Sequence, residues 1–287
     1  MHAATLLQWA RLRIDVRDAD LLLAYALHRE REWLLAHPET TIHPSHATRF
    51  RRMVIRRTRG EPLAHLLGTQ WFFGRTFRVT HDVLIPRPET ELSVELALGT
   101  VPISEPTTII DVGTGSGCIA VTMAAERPRA RVIALDASPS ALHIARHNAR
   151  THQVRDRIAF HQSNLLDFQI KNGKMKNAPF VILANLPYLT TAEWRALPNS
   201  LRTFEPRNAF DGGRDGLYCF RTFFRQLSSF ATHHRVRSVF LEIDPQRKPA
   251  LTRLTQQRVP HWHRGWHRDL ADRWRVLELR PPEMKHQ

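Results

Sequence analysis

From Ile109 onward the chain alternates between short apolar runs and stretches long enough for a helix. The runs are Ile109–Val112, Val132–Asp136, Ile158–His161, Phe180–Ala184, Ser238–Ile243 and Trp274–Leu279. Runs this short, apolar at successive positions and rich in Val, Ile, Leu and Phe, read as strands buried on both faces. Strands that alternate with helices form a parallel, doubly wound sheet, because each crossover returns the chain to the same end of the sheet before the next strand. The expected architecture is therefore α/β. In such a sheet, ligands bind at the carboxyl ends of the strands.

Two strand ends carry the residues of a nucleoside site. Asp111-Val112-Gly113-Thr114-Gly115-Ser116-Gly117 follows the first run and leads into Ile119–Ala125, a helical stretch. Glycines there permit a tight turn and a close approach of backbone to ligand. The second run ends in Asp136, a carboxylate placed to grip both ribose hydroxyls. The spacing is G-x-G-x-G, whereas the dinucleotide fingerprint G-x-G-x-x-G would need glycine at Cys118. The Ser163-Asn164-Leu165 turn after the third run should border an adenine, with Leu165 against the ring. The cofactor-binding candidates are thus Gly113, Thr114, Gly115, Ser116, Gly117, Asp136, Asn164, Leu165 and Asn185.

Asn185-Leu186-Pro187-Tyr188 closes the fourth run. The Asn185 side-chain oxygen and the Leu186 carbonyl can each accept one N–H of a planar NH2 group. Pro187 fixes the turn that aims that carbonyl, and the Tyr188 ring offers an apolar wall with a polar tip. This arrangement suits methylation of a nitrogen whose lone pair is conjugated. Together with the loop and Asp136 it favours S-adenosylmethionine over NAD. A donor methyl on a sulfonium is already electrophilic, so the protein needs only to hold the acceptor in line; no general base is nominated. The exocyclic amine of adenine presents the same two N–H groups, so a methyltransferase acting on adenine in DNA or RNA fits these residues too. A cofactor-binding assembly factor without activity is a third reading, opposed by the intact Asn185 and Tyr188.

Val83-Leu84-Ile85-Pro86-Arg87-Pro88-Glu89-Thr90-Glu91, the glycine loop, Asn185–Tyr188, Glu205-Pro206-Arg207 and Asp211-Gly212-Gly213-Arg214-Asp215-Gly216 together resemble the HemK/PrmC family. These are the glutamine methyltransferases that modify peptide chain release factors. The resemblance runs from the first helices to Leu241-Glu242-Ile243. Ile-Pro-Arg-Pro-Glu-Thr-Glu is its most specific element, since the other two methyltransferase motifs also occur elsewhere. It implies a class I S-adenosylmethionine-dependent methyltransferase with a Rossmann-like sheet. The acceptor would be the side-chain amide nitrogen of the glutamine in the Gly-Gly-Gln motif, held by Asn185, Leu186, Pro187 and Tyr188. A ribosomal-protein glutamine is the alternative within the family. Leu186 stands where the family usually has proline. Its carbonyl survives that change while one rigid φ is lost, so we expect the variant to be tolerated.

Residues 1–67 read as a small helical bundle, with stripes at Leu6, Leu7, Ala10 and Ile14 and at Leu21–Leu27, a helix stop at His37-Pro38, and an Arg-rich helix closing at Gly60. By resemblance this bundle recognises the substrate. Residues 68–86 form a linker built on a hairpin, Trp71–Val79, around Gly74, and 87–287 form the catalytic domain. The polar stretch 170–177 is expected as a surface loop.

The net charge of +15 raises the question of a polyanionic neighbour. Arg49, Arg51, Arg52, Arg56, Arg57 and Arg59 crowd one helix, and His261-Trp262-His263-Arg264-Gly265-Trp266-His267 mixes basic and aromatic side chains. Basic residues are spread over the whole chain, so we read the excess as compositional; a weak contact with ribosomal RNA stays open. No run of 18 apolar residues and no basic-then-apolar leader occurs, so neither a membrane span nor a signal peptide is expected. Cys118 and Cys219 are the only cysteines, without a C-x-x-C, which fits a reducing cytoplasm and opposes disulfides and structural zinc. A helix start could lower the Cys118 pKa, but packing against the strand is the preferred reading. His143 and His147 lie four apart without a third ligand, so no metal is expected. The chain is expected to act as a cytoplasmic monomer.

Overall fold

The computed structural model describes residues 1–169 and 178–282. The stretch 170–177 expected as a surface loop lies outside the described residues. Two compact units emerge, residues 1–70 with 198–204 and residues 71–197 with 205–287.

The first unit is helical: α1 Ala3–Arg11, α2 Val16–Leu27, α3 Arg31–Ala36, α4 Pro44–Thr58 and α5 Leu63–Leu67. Asp15 caps α2 by accepting from the Arg17 and Asp18 N–H groups, which satisfies donors that the first turn leaves open. Leu6, Ala10, Leu22, Leu23, Leu34, Phe50 and Val54 share one core. Buried Asp20 draws in Arg11 at 2.7 Å and Arg31 at 2.9 Å. On α4, Arg56 meets Glu61 and Arg57 meets Asp18. Part of the arginine excess therefore answers acids within its own unit. The short helix Asn199–Phe204, far along the chain, joins this unit. A Cβ added to Gly60 would lie 3.2 Å from that of Ser200.

The chain passes into the second unit within the first strand of the expected hairpin, β1 Thr69–Phe72 and β2 Arg75–Arg78. Phe73 and Gly74 at its turn have φ of 48° and 73°, the left-handed pair whose twist matches that of the strands. After α6 Glu91–Thr100 come β3 Thr108–Val112, α7 Cys118–Glu126, β4 Arg131–Asp136, α8 Pro139–Thr151, β5 Ile158–Gln162 and β6 Phe180–Asn185. The helix Tyr218–His233, β7 Val236–Glu242, the helix Lys248–Arg258, β8 His263–Arg268 and β9 Trp274–Arg280 complete it.

Its sheet runs β5-β4-β3-β6-β7-β9-β8. The β5-to-β7 portion is parallel, as the alternation of runs and helices required. Strand order reverses between β3 and β6, so a crevice opens at their carboxyl ends. Along β3 and β6, alternate side chains enter opposite cores. Ile109, Val181 and Leu183 pack with Ile119, Val121 and Met123. Ile110, Val112 and Ile182 pack with Phe220, Phe223 and Phe224. Each such side chain stabilises the fold by about 1.5–3 kcal/mol on full burial.

Two expectations need correcting. β9 pairs antiparallel with both β7 and β8, so the sheet is mixed at one edge. The His261–His267 run supplies that edge strand from His263, so its basic and aromatic residues belong in part to the sheet. Trp266 and Trp274 are covered by the Lys248 ammonium at 5.3 and 3.4 Å from their ring centres, a cation–π contact that occupies their faces. No helix among the described residues is long and apolar enough to cross a membrane.

Candidate active site

A cavity of about 210 Å³ opens at the β3/β6 reversal. It brings together Gly113, Thr114, Gly115, Ser116, Asp136, Asn164, Leu165, Asn185, Leu186 and Pro187. Gly117 and Tyr188, the other two expected site residues, do not line it.

The loop after β3 is held from below by Asp111, a residue the sequence reading assigned no role. Its Oδ2 accepts from the Thr114 hydroxyl at 2.6 Å and from the Ala120 N–H at 3.0 Å. Burial pushes this carboxyl up to about 7, against the pull of those two hydrogen bonds. Gly113 and Gly115 have φ of 76° and 53°, and an added Cβ would meet nothing nearer than 3.7 Å. They serve backbone conformation and leave the space beside the loop open. Gly117 does something else: its Cβ would press on Ala145 of α8 at 3.0 Å, so glycine there lets helix and loop close up. Cys118, at the start of α7, is buried and its thiol is pushed up to about 12, chiefly by desolvation. Burial outweighs any effect of the helix start, and the thiol is a packing residue.

Asp136 ends β4 as expected. Its Oδ2 accepts from Gly115 N–H at 2.8 Å and its Oδ1 from Ser138 N–H at 2.9 Å. Each carboxylate oxygen has a second lone pair, so both can still accept a hydroxyl. Burial raises its pKa while these backbone donors oppose the shift. Beyond β5, Leu165 adopts φ of 60°, an uncommon conformation for leucine. The Ser163 hydroxyl lies 3.0 Å from the Leu165 carbonyl and 2.9 Å from that of Asp167, and Gln226 bonds Asn164 and Leu166, so the turn is tied down on two sides.

Asn185 ends β6. Its Nδ2 donates to the Thr90 hydroxyl at 3.2 Å, and Thr90 donates to the Glu242 carboxylate at 2.5 Å. Burial pushes Glu242 up to about 7. Leu186 is 1% exposed and packs in the Phe223 core. Its side chain therefore contributes stability, which the expectation built on its carbonyl alone did not include. Tyr188 is not among the cavity-lining residues, and burial and the Glu242 charge raise its pKa. Its carbonyl accepts from Arg247 Nε at 3.2 Å, and Arg247 is also paired with Glu193.

Two further motifs brace this loop. Glu205, buried, accepts from the Ile85 N–H at 2.9 Å and from Arg87 at 2.6 Å, which joins Glu-Pro-Arg to Ile-Pro-Arg. The Asp211–Gly216 turn lies along residues 187–189. Leu189 N–H donates to the Phe210 carbonyl at 3.0 Å, and Gly212 N–H to the Leu189 carbonyl at 2.8 Å. A Cβ on Gly212 would sit 2.6 Å from the Pro187 oxygen, which explains a glycine cluster that the sequence displayed without a reason.

Comparison with known proteins identifies relatives of this chain. A model described as the PrmC N-terminal domain matches residues 1–68, and one described as a methyltransferase domain matches residues 103–204. A release factor glutamine methyltransferase of Nitratidesulfovibrio vulgaris is 39% identical over 216 residues, covering 75% of this chain and 72% of its own. That of Moorella thermoacetica is 42% identical over 204 residues, covering 71% and 70%. Among solved structures, the N-terminal domain of human METTL16 in complex with SAH is similar in fold. It has a TM-score of 0.51 and 17% identity, and the match covers 91% of this chain and 94% of that one. The hMettl16 catalytic domain in complex with MAT2A 3′UTR hairpin 6 gives a TM-score of 0.55 at 16% identity, covering 84% and 83%. The chain thus belongs to the release factor glutamine methyltransferase family.

Proposed function

We propose that this protein transfers a methyl group from S-adenosylmethionine to the side-chain amide nitrogen of the glutamine in the Gly-Gly-Gln motif of a peptide chain release factor. The observation that carries the reading is that Asn185, the glycine loop and Asp136 share one cavity at the strand-order reversal. The residues present fit the cofactor. Asp136 keeps lone pairs for a ribose diol, Leu165 offers an apolar face beside it, and the space next to Gly113 and Gly115 is open. S-adenosylmethionine supplies a methyl group on a sulfonium, electrophilic without further activation. The protein's own part is orientation. The Asn185 side-chain oxygen and the Leu186 carbonyl each accept one N–H of the substrate amide and direct partial negative charge at the nitrogen as it becomes positive. Pro187 keeps the second carbonyl aimed. Catalysis then rests on positioning, and the proton leaves to water.

Asp136→Ala removes two charge-assisted acceptors for the ribose and also releases the Gly115 and Ser138 N–H groups. The expected loss for S-adenosylhomocysteine is roughly 1.5–3 kcal/mol, a Kd about 10- to 150-fold weaker by calorimetry. NAD should not bind; tight NAD binding with no response to the sulfur compound would overturn the cofactor assignment.

Residues 1–67 serve substrate recognition, residues 68–86 link, and 87–287 carry the chemistry. The protein works as a monomer in the cytoplasm, and its basic excess is compositional. Release factor treated with enzyme and labelled cofactor, then digested, should carry one methyl group on the Gly-Gly-Gln glutamine. Intact release factor should be preferred to a short Gly-Gly-Gln peptide, and deleting the first unit should abolish that preference. A methyl on a different residue, or on an adenine-containing oligonucleotide alone, would reassign the substrate.

A further inference from the structure

The side chain that faces the reacting amide is itself an amide, and an asparagine can be turned over end for end at little steric cost. Only the orientation with oxygen toward the substrate lets Asn185 accept.

Thr90 closes the 3-10 turn Pro88–Thr90, and Glu242 and Asn185 are the paired last residues of β7 and β6. Thr90 and Glu242 are each 3% exposed. A threonine hydroxyl has a single proton. Thr90 directs it to the Glu242 carboxylate at 2.5 Å, so toward Asn185 it has only lone pairs to offer. The group it meets at 3.2 Å must then be the amide NH2. The Asn185 oxygen lies on the opposite side of the planar amide.

We propose that Thr90 and Glu242 are positioning residues that lock the Asn185 amide with its oxygen toward the substrate. The proposal rests on the reading of the cavity as a glutamine amide site. It assigns a physical task to Thr90 within the Ile-Pro-Arg-Pro-Glu-Thr-Glu stretch. It also explains a carboxylate buried beside the site that takes no part in proton transfer.

The lock depends on the charge of Glu242. A protonated Glu242 can donate to Thr90, which frees the Thr90 proton to point at Asn185 and allows the reversed amide. Burial raises Glu242 to about 7, Thr90, Arg275 and Arg87 favour its ionised form, and Glu89 opposes it. Cys118 and Tyr188, both influenced by its charge, are neutral thiol and phenol throughout the range used. Ionisation increases as pH rises, so the locked fraction increases through about pH 7.

The test compares Thr90→Val, Thr90→Ser and Glu242→Gln in the full-length enzyme, using steady-state methylation of release factor. Thr90→Val keeps shape but removes the hydroxyl, and kcat should fall about tenfold, the effect of one lost neutral hydrogen bond. KM and S-adenosylhomocysteine affinity should stay near the wild-type values. Thr90→Ser should restore kcat to within about threefold. Wild-type kcat should rise between pH 6 and 8, and Glu242→Gln should flatten that rise. Equal losses in the Val and Ser variants, or a parallel loss of cofactor affinity, would mark a merely structural role and overturn the proposal. Unchanged kcat in Thr90→Val would do so too. If the wild-type enzyme fails to methylate release factor, the substrate reading has failed on its own account. The lock is then read by NMR: one slowly exchanging Asn185 side-chain amide pair in the wild type, lost in Thr90→Val, supports it. The same pair in both proteins refutes it.

Discussion

Asn185→Ala is expected to lower methylation of release factor on the order of 10²-fold while leaving S-adenosylhomocysteine affinity within a few-fold, the usual cost of deleting one preorganised transition-state contact. The proposed function puts the cofactor's main grip elsewhere, at Asp136 and the glycine loop, so binding and rate should separate cleanly. The loss should fall on kcat, because the Asn185 oxygen matters most once charge develops on the acceptor nitrogen. Asn185→Asp sharpens the prediction. The new carboxylate keeps acceptors for the substrate but has no N–H for Thr90, whose one proton is already directed at Glu242. Two acids would then compete for a single hydroxyl in a buried setting, and one of them must take up a proton. We expect Asn185→Asp to be at least as impaired as Asn185→Ala, with its deficit changing with pH. An Asn185→Ala enzyme of near-normal kcat would remove this residue from the mechanism.

The strands around this residue were legible because a buried parallel strand leaves a strong trace: β3 and β6 are apolar on both faces, and the runs at Ile109 and Phe180 show it. β8 left no such trace. An edge strand has one free side and tolerates the histidines and arginines of His263–Arg268, so the run did not stand out as a strand. Within the site, contiguous motifs were readable, and their mutual supports were not. Thr90 meets Asn185 across 95 residues and Glu242 across 152, and Glu205 reaches Ile85 across 120. No periodicity encodes such pairings. Asp111 sat in plain view inside the glycine-loop motif, yet its task became visible only when Thr114 and Ala120 were seen to converge on one of its oxygens. Leu186 shows the converse limit. Reasoning from its carbonyl left out the side chain, which the fold buries beside Phe223.

Gly216→Ala should be as damaging as any substitution inside the cavity, although Gly216 does not line it. Its φ is 73°, and an added Cβ would lie 2.3 Å from the Tyr188 carbonyl oxygen and 3.2 Å from its carbon. These are backbone atoms and cannot rotate aside. The left-handed conformation alone costs an alanine about 1–2 kcal/mol. Relieving the overlap requires residues 187–189 to move, and those residues directly follow Asn185 and the Leu186 carbonyl proposed to hold the substrate. We expect a stability loss of about 2–4 kcal/mol and a fall in release-factor methylation of about 10²-fold, by the sensitivity of rate to misplacement near 1 Å. Gly74 provides the control. It has the same φ of 73°, at the hairpin turn, but a Cβ there meets nothing within 4 Å. Gly74→Ala should therefore show the conformational cost without the catalytic one. Thermal melts and kcat for the two variants separate strain from displacement. If Gly216→Ala matched Gly74→Ala in activity, the Asp211–Gly216 turn would be a bystander, and the aim of the Leu186 carbonyl would have to be set by Pro187 and the β6 backbone alone.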